Sequence, residues 1–148
     1  IGLITGDGTF SVNHSNHQVA HIDLYNEDIE LKDIVKEAIE EVVKEYEDLD
    51  KHINKEIENK EPKIINHTQN SKKMRFSNVR LGRILDEKYN FNKDTKLKVP
   101  EVIFRAKEEA LKGYLQGLFS ADATVNKIKN DGIPTFAIQF ASISKELL

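Results

Sequence analysis

The chain has 148 residues, enough for one domain or two small ones with a core of real size. Hydrophobic residues make up 39% and charged residues 32%, which excludes a disordered chain, and no apolar run nears the ~20 residues that cross a bilayer. Cysteine is absent, which excludes disulfides, thiolate metal sites and cysteine nucleophiles, and the net charge of -3 argues on its own against a polyanionic partner.

The opening Ile1-Gly2-Leu3-Ile4-Thr5-Gly6 reads as the end of a helix with no N-cap before it. Gly8 to Asn13 alternates polar and apolar residues and predicts a strand. His14-Ser15-Asn16-His17 is turn-like, and Val19 to Tyr25 alternates again, so the pair predicts a hairpin. Asn26 is placed to cap the next helix, whose Leu31, Ile34, Val35, Ala38, Ile39, Val42 and Tyr46 recur at three and four residues as a core-facing stripe. Leu49, Ile53 and Ile57 extend this helix or form a second one. Pro62 ends the pattern. Lys63 to His67 and Lys72 to Ser77 predict a second hairpin around Gln69-Asn70-Ser71, and Asn78 caps a helix from Val79 to Tyr89. A polar linker, Asn90 to Lys98, leads to Pro100 and a helix over Glu101 to Ala121 with a break near Ala106. Thr124 to Lys129 and Pro134 to Ala141 form a third hairpin around Asn130-Asp131-Gly132. Ser142 to Leu148 reads as the start of a further helix. Both ends are cut inside helices, so the chain is expected to be a fragment of a longer protein.

The near-zero charge hides a partition. Residues 27–61 carry 14 acidic residues against 6 lysines, whereas residues 62–113 carry 13 basic residues against 6 acidic ones. Such runs are ordinarily solvated faces, but a basic stretch this dense also suits a polyanion.

The second half restarts the first. Gly6-Asp7-Gly8-Thr9 corresponds to Ala121-Asp122-Ala123-Thr124, each preceded by a helix and followed by a hairpin and a polar cap, Asn26 or Ser142. The predicted architecture is therefore α+β: a helix-hairpin-helix-hairpin-helix repeat, duplicated with pseudo-twofold symmetry and incomplete in its second copy. The first half is residues 1–98 and the start of the second is residues 99–148. Gly2 and Gly6, and Gly113, Gly117 and Ala121, recur every four residues and give each helix a bare ridge. Glycine inside a helix costs roughly 1 kcal/mol against alanine, so a repeated ridge calls for close packing of the two helices. If they pair in the same sense, Asp7 and Asp122 meet where two helix dipoles disfavour negative charge, and a divalent cation relieves the repulsion. Carboxylates with water and phosphate oxygens suit magnesium, which points to metal-assisted phosphodiester hydrolysis.

These residues resemble the LAGLIDADG homing endonucleases, most closely the two-motif, intein-encoded archaeal type. Ile1-Gly2-Leu3-Ile4-Thr5-Gly6-Asp7-Gly8 and Leu115-Gln116-Gly117-Leu118-Phe119-Ser120-Ala121-Asp122-Ala123 are similar to the two motifs, and the likeness spans nearly the whole chain. Ala123 departs from the glycine that usually closes the motif. The resemblance implies saddle-shaped sheets in the DNA major groove and a helix interface of Gly2, Gly6, Gly113, Gly117 and Ala121. It implies metal ligands at Asp7 and Asp122, with Mg2+ as cofactor. It also implies a catalytic lysine just before a proline, here Lys98 of Lys98-Val99-Pro100, with Lys96 as second candidate.

The implied partner is double-stranded DNA and not a membrane, the enzyme is a cytoplasmic monomer with two pseudo-symmetric halves, and these residues alone are expected not to cut DNA. The alternative is a catalytically inactive LAGLIDADG nucleic-acid-binding module of the maturase or regulator type. There is no terminal splicing nucleophile, Thr-x-x-His or His-Asn pair, so the splicing elements of an intein are expected outside this chain. A free-standing or intron-encoded enzyme stays open.

Strand parity gives the expected DNA contacts. With Phe10, Val12, Ile22 and Leu24 inward, Ser11, Asn13, His21 and Asp23 face out. With Met74 and Phe76 inward, Lys73, Arg75 and Ser77 face out. With Phe136, Ile138 and Phe140 inward, Thr135 and Gln139 face out. His14, His17 and His21 have loose metal spacing but no fourth ligand.

Overall fold

The computed structural model describes residues 1–46, 63–68, 71–130, 133–142 and 144–147. Leu49, Ile53 and Ile57, Pro62, and parts of the two later hairpin turns lie outside them. The chain forms two compact units, one of residues 8–95 and one of residues 1–7 with 96–148.

The unit of residues 8–95 is built on strands β1 (Thr9–Val12), β2 (Gln18–Tyr25), β3 (Lys63–Thr68) and β4 (Ser71–Asn78), antiparallel in the order β1-β2-β4-β3. Register sets the faces. Phe10 opposes Ala20, and Ile22 and Leu24 oppose Phe76 and Met74. These alternate residues line the inner face, where Ala20, Ile22, Leu24, Met74 and Phe76 are buried. Helix α3 (Val79–Tyr89) packs on β2 and buries Leu81, Ile84 and Leu85. Asn78 Oδ1 accepts from the Leu81 N–H at 2.8 Å and caps its start, and left-handed Asn90 ends it. Phe91, in the stretch expected to be a polar linker, is buried and meets Phe10 edge-on at 5.4 Å.

Two expectations fail in the acidic helix. Asn26 does not cap it: a 3-10 turn, Asn26–Leu31, comes first, and Asn26 Oδ1 accepts instead from the Lys72 N–H of β4 at 3.2 Å. Helix α2 (Lys32–Glu45) then buries only Val35, Ile39 and Val43, a narrow stripe four residues apart. Ile34, one position aside, is exposed.

In the other unit, α1 (Gly2–Gly6) runs beside α4 (Glu108–Asp122). A 3-10 turn, Glu101–Arg105, precedes α4, and extended Ala106 and Lys107 make the expected break. Ile103, Tyr114 and Leu118 form a small core with Ile1, Val99 and Phe140 packed on it. Strands β5 (Ala123–Asn130) and β6 (Ile133–Phe140) make a separate two-stranded sheet. Phe140 reaches Phe119 at 5.8 Å. Phe136 and Ile138, expected inward, are 64% and 63% exposed, because among the described residues no helix of this unit covers the outer half of the hairpin. The expected closing helix is reduced to a turn in which Ser142 Oγ accepts from the Ser144 N–H at 3.1 Å.

The seam between α1 and α4 is made by missing side chains. A Cβ on Gly2 would collide with the Tyr114 carbonyl, one on Gly6 with the Ala121 Cβ, and one on Gly117 with the Leu3 backbone nitrogen at 2.7 Å. Gly113 is a correction: nothing stands within 4 Å of its Cβ position, so the described part of the seam does not need a glycine there. Gly113→Ala should therefore raise stability by up to ~1 kcal/mol through helix propensity. Gly117→Ala should lower it by about 1–3 kcal/mol through overpacking. Thermal melting followed by circular dichroism distinguishes the two signs.

Asp23 of β2 is 3% exposed and is the one buried charge among the described residues. Its Oδ1 accepts from Arg75 Nε at 2.7 Å, and its Oδ2 accepts from Arg75 Nη2 at 2.6 Å and Lys73 Nζ at 3.3 Å. Burial pushes its pKa up, but the Arg75 hydrogen bonds and the two cations outweigh burial and hold it below the usual 3.8. A depressed carboxyl stabilises the fold above its ordinary value and loses that contribution as pH falls through the folded one. Asp23→Asn should cost about 1–3 kcal/mol at pH 7, the lower end reflecting the partial exposure of Arg75, and should flatten the acid limb of the stability curve below about pH 4. Denaturant melts across pH measure both.

Candidate active site

α1 and α4 run in the same sense, for Gly2 lies against Tyr114 and Leu118 while Gly6 lies against Ala121 and Asp122. Their C-terminal ends therefore arrive together. Asp7 follows α1 as its C-cap, and Asp122 is the last residue of α4. The Asp122 carboxylate sits 3.4 Å from the Cβ position of Gly6, the residue before Asp7. Two carboxylates thus gather at the negative ends of two helix dipoles, which concentrates negative potential at one spot.

Lys96 enters this spot. Its Nζ donates to the Gly6 carbonyl at 3.1 Å, satisfying one of the backbone acceptors that a helix end leaves open. Half-burial lowers its pKa below the ordinary 10.5, and the charges of Asp122 and then Asp7 pull partly the other way. Lys98 stands elsewhere. It is 57% exposed and pairs with Glu146 at 3.4 Å. The two lysines lie two residues apart in the irregular segment after α3, and their contacts separate them, Lys96 going to the Gly6 carbonyl and Lys98 to Glu146. The sequence offered no signal to choose between them beyond the half-buried Val99 that anchors the segment on the core.

The outer face of the four-stranded sheet carries the expected row. His21 opposes Ser77, Asp23 opposes Arg75, and Lys73 opposes Tyr25. Ser11 Oγ lies 2.7 Å from His21 Nε2, and Ser77 Oγ lies 2.9 Å from His21 Nδ1. Two of the expected contacts are committed internally. Asp23 is covered by Arg75 and Lys73, so it orients those cations. Asn13 Oδ1 accepts from the Ser15 and His17 N–H groups and closes the first turn. His14 and His17 are exposed turn residues. Thr135 and Gln139 are exposed on the other sheet, with Gln139 Oε1 accepting from Asn126 Nδ2 at 2.6 Å. The Asp23 clamp was not foreseen, because the pairing of β2 with β4 joins segments about 50 residues apart.

The described residues contain no helix long and apolar enough to cross a membrane.

Comparison with known proteins gives three findings. The ribonucleoside-diphosphate reductase NrdEB subunit alpha of Bacillus subtilis (strain 168) and that of Bacillus phage SPbeta are each 29% identical over 148 residues. The match takes in 100% of this chain and 13% of each relative. A LAGLIDADG meganuclease, I-AabMI, solved bound to uncleaved DNA, aligns over 93% of this chain and 62% of its own, with 15% identity and a TM-score of 0.32. Residues 109–148, which hold α4, Asp122 and the β5–β6 hairpin, match the family model described as a LAGLIDADG-like domain.

Proposed function

We propose that this chain belongs to a site-specific, double-strand DNA endonuclease of the homing type, hydrolysing one phosphodiester in each strand with a divalent metal. The observation that carries this reading is the meeting of Asp7 and Asp122 at the ends of a glycine-lined helix pair, with Lys96 beside them. The family model over residues 109–148 supports it.

The residues fit a hard cation. Two carboxylates supply oxygen donors where helix dipoles already favour positive charge. Among the described residues no cluster of three or more ligating side chains forms, so water and a DNA phosphate would complete the set, as magnesium prefers. A cation held there would offset the extra negative charge of the attacked phosphate. Asp7 and Asp122 would each serve one strand from opposite sides of the seam. Lys96, fixed on the Gly6 carbonyl, replaces Lys98 as the lysine that stabilises developing charge. Lys73 and Arg75, aimed by Asp23, would hold phosphates while Ser11 and Ser77, held by His21 between them, meet base edges. Two repeats, residues 1–98 and the beginning of a second from 99, would form one monomer with a pseudo-twofold axis matched to duplex DNA.

A full-length match to 13% of two larger proteins is the pattern of an inserted segment. This supports an endonuclease carried by an intein, whose splicing residues would lie elsewhere in the polypeptide.

The test uses the complete polypeptide and a duplex that joins the coding sequences flanking this segment. Cleavage with Mg2+ and none with EDTA is expected. Asp7→Asn and Asp122→Asn should each slow at least one strand about 100-fold or more and spare binding. Lys96→Met should slow cleavage while Lys98→Ala does not. Binding by folded protein without cleavage would replace this reading with the inactive nucleic-acid-binding module, and undiminished cleavage by the double Asp variant would remove the proposed site.

A further inference from the structure

The sheet of residues 8–95 carries a hydrogen-bonded chain that the cleavage chemistry leaves unused. His21 occupies β2 between β1 and β4, and both its ring nitrogens are engaged, one by Ser11 and one by Ser77. A neutral imidazole has one N–H and one bare nitrogen. One serine must therefore donate its O–H to the ring while the other accepts from it. The donating serine is left with lone pairs alone to present outward. The accepting serine keeps its O–H. The outward polarities of the two hydroxyls are thus opposite, and a change of ring tautomer exchanges them. A protonated ring donates on both sides and frees both O–H groups.

We propose that Ser11, His21 and Ser77 read DNA as one unit, so that the base accepted opposite Ser11 depends on the base opposite Ser77. This rests on the reading of this sheet as the DNA surface. The two hydroxyls bond the two nitrogens of one ring, at 2.7 and 2.9 Å, so they stand no more than about 8 Å apart. At ~3.4 Å per base-pair step, the hydroxyls address positions about two steps from each other. In the major groove guanine offers acceptors and cytosine offers an amino donor. With a neutral ring, one position takes a base edge that accepts and the other takes one that donates. With a protonated ring, both take edges that accept.

Geometry sets which state prevails near neutrality. On β4 the charged groups facing the ring are Arg75 and Lys73, on β2 it is Asp23, and β1 has none. Burial and Arg75 hold the imidazole below its ordinary 6.5, against Asp23, and Lys73 adds to the lowering. The ring is neutral at pH 7, and the two-donor state requires acidification.

The test is selection of bound sequences from a randomised duplex library in EDTA, so that cutting does not intervene. At pH 7, complementary base pairs at two positions about two steps apart should be enriched about fivefold over the product of their separate preferences, the worth of one hydrogen bond. Once acidification passes the ring's lowered pKa, that dependence should give way to independent enrichment of guanine at both. His21→Ala should abolish the dependence and its pH response. Ser11→Ala and Ser77→Ala should each do the same and erase the preference at one position, which carries the test if the His21 variant does not fold by circular dichroism. Enriched sites whose two positions combine independently in the parent protein, or a dependence that survives loss of a serine, would overturn the coupled reading and leave DNA binding standing. A library with no enrichment at all would overturn both.

Discussion

The parallel contact of α1 with α4 is the constraint from which the candidate site follows. Gly2, Gly6 and Gly117 carry no side chain, so two backbones approach closer than any pair of ordinary helices could. Direction matters as much as distance. In an antiparallel pair Asp7 and Asp122 would stand at opposite ends of the seam. Run in the same sense, the helices bring their negative dipole ends and their terminal carboxylates to one point. Lys96 offsets part of that charge from within the same unit, through a contact to backbone rather than to either acid.

The four-stranded sheet divides its labour by alternation. One face supplies the core through Ala20, Ile22, Leu24, Met74 and Phe76. The other concentrates polar groups that hold each other in place. Asp23 gives up contact with solvent to fix the guanidinium of Arg75 at two points, and His21 fixes two hydroxyls. Long flexible side chains lose much of their freedom before any ligand arrives, which lowers the entropy that a ligand must remove.

Much of this was legible because it is local. The hairpins follow from period-two alternation, and α3 runs from Val79 to Tyr89 between asparagines at both ends. The approach of the two acids could be read from glycines four apart, since a bare ridge has few uses other than close packing. What escaped depends on partners distant in the chain. Asn26 looks like a cap until the Lys72 N–H takes its oxygen. Ile34, Phe136 and Ile138 carry the right periodicity, yet periodicity cannot say whether anything stands opposite. Lys96 and Lys98 are the same residue type two positions apart in one irregular segment, and only the folded contacts, Lys96 to the Gly6 carbonyl and Lys98 to Glu146, tell them apart.

At Gly2, Gly6 and Gly117 no side chain interlocks α1 with α4, so at these positions the two helices are held by backbone contact. Opening of the seam would carry Asp7 away from Asp122 and undo the candidate site. The amides of α1 should then exchange with solvent at the rate of that opening rather than of global unfolding. The persistence of the candidate site is accordingly tied to the contacts along this glycine seam.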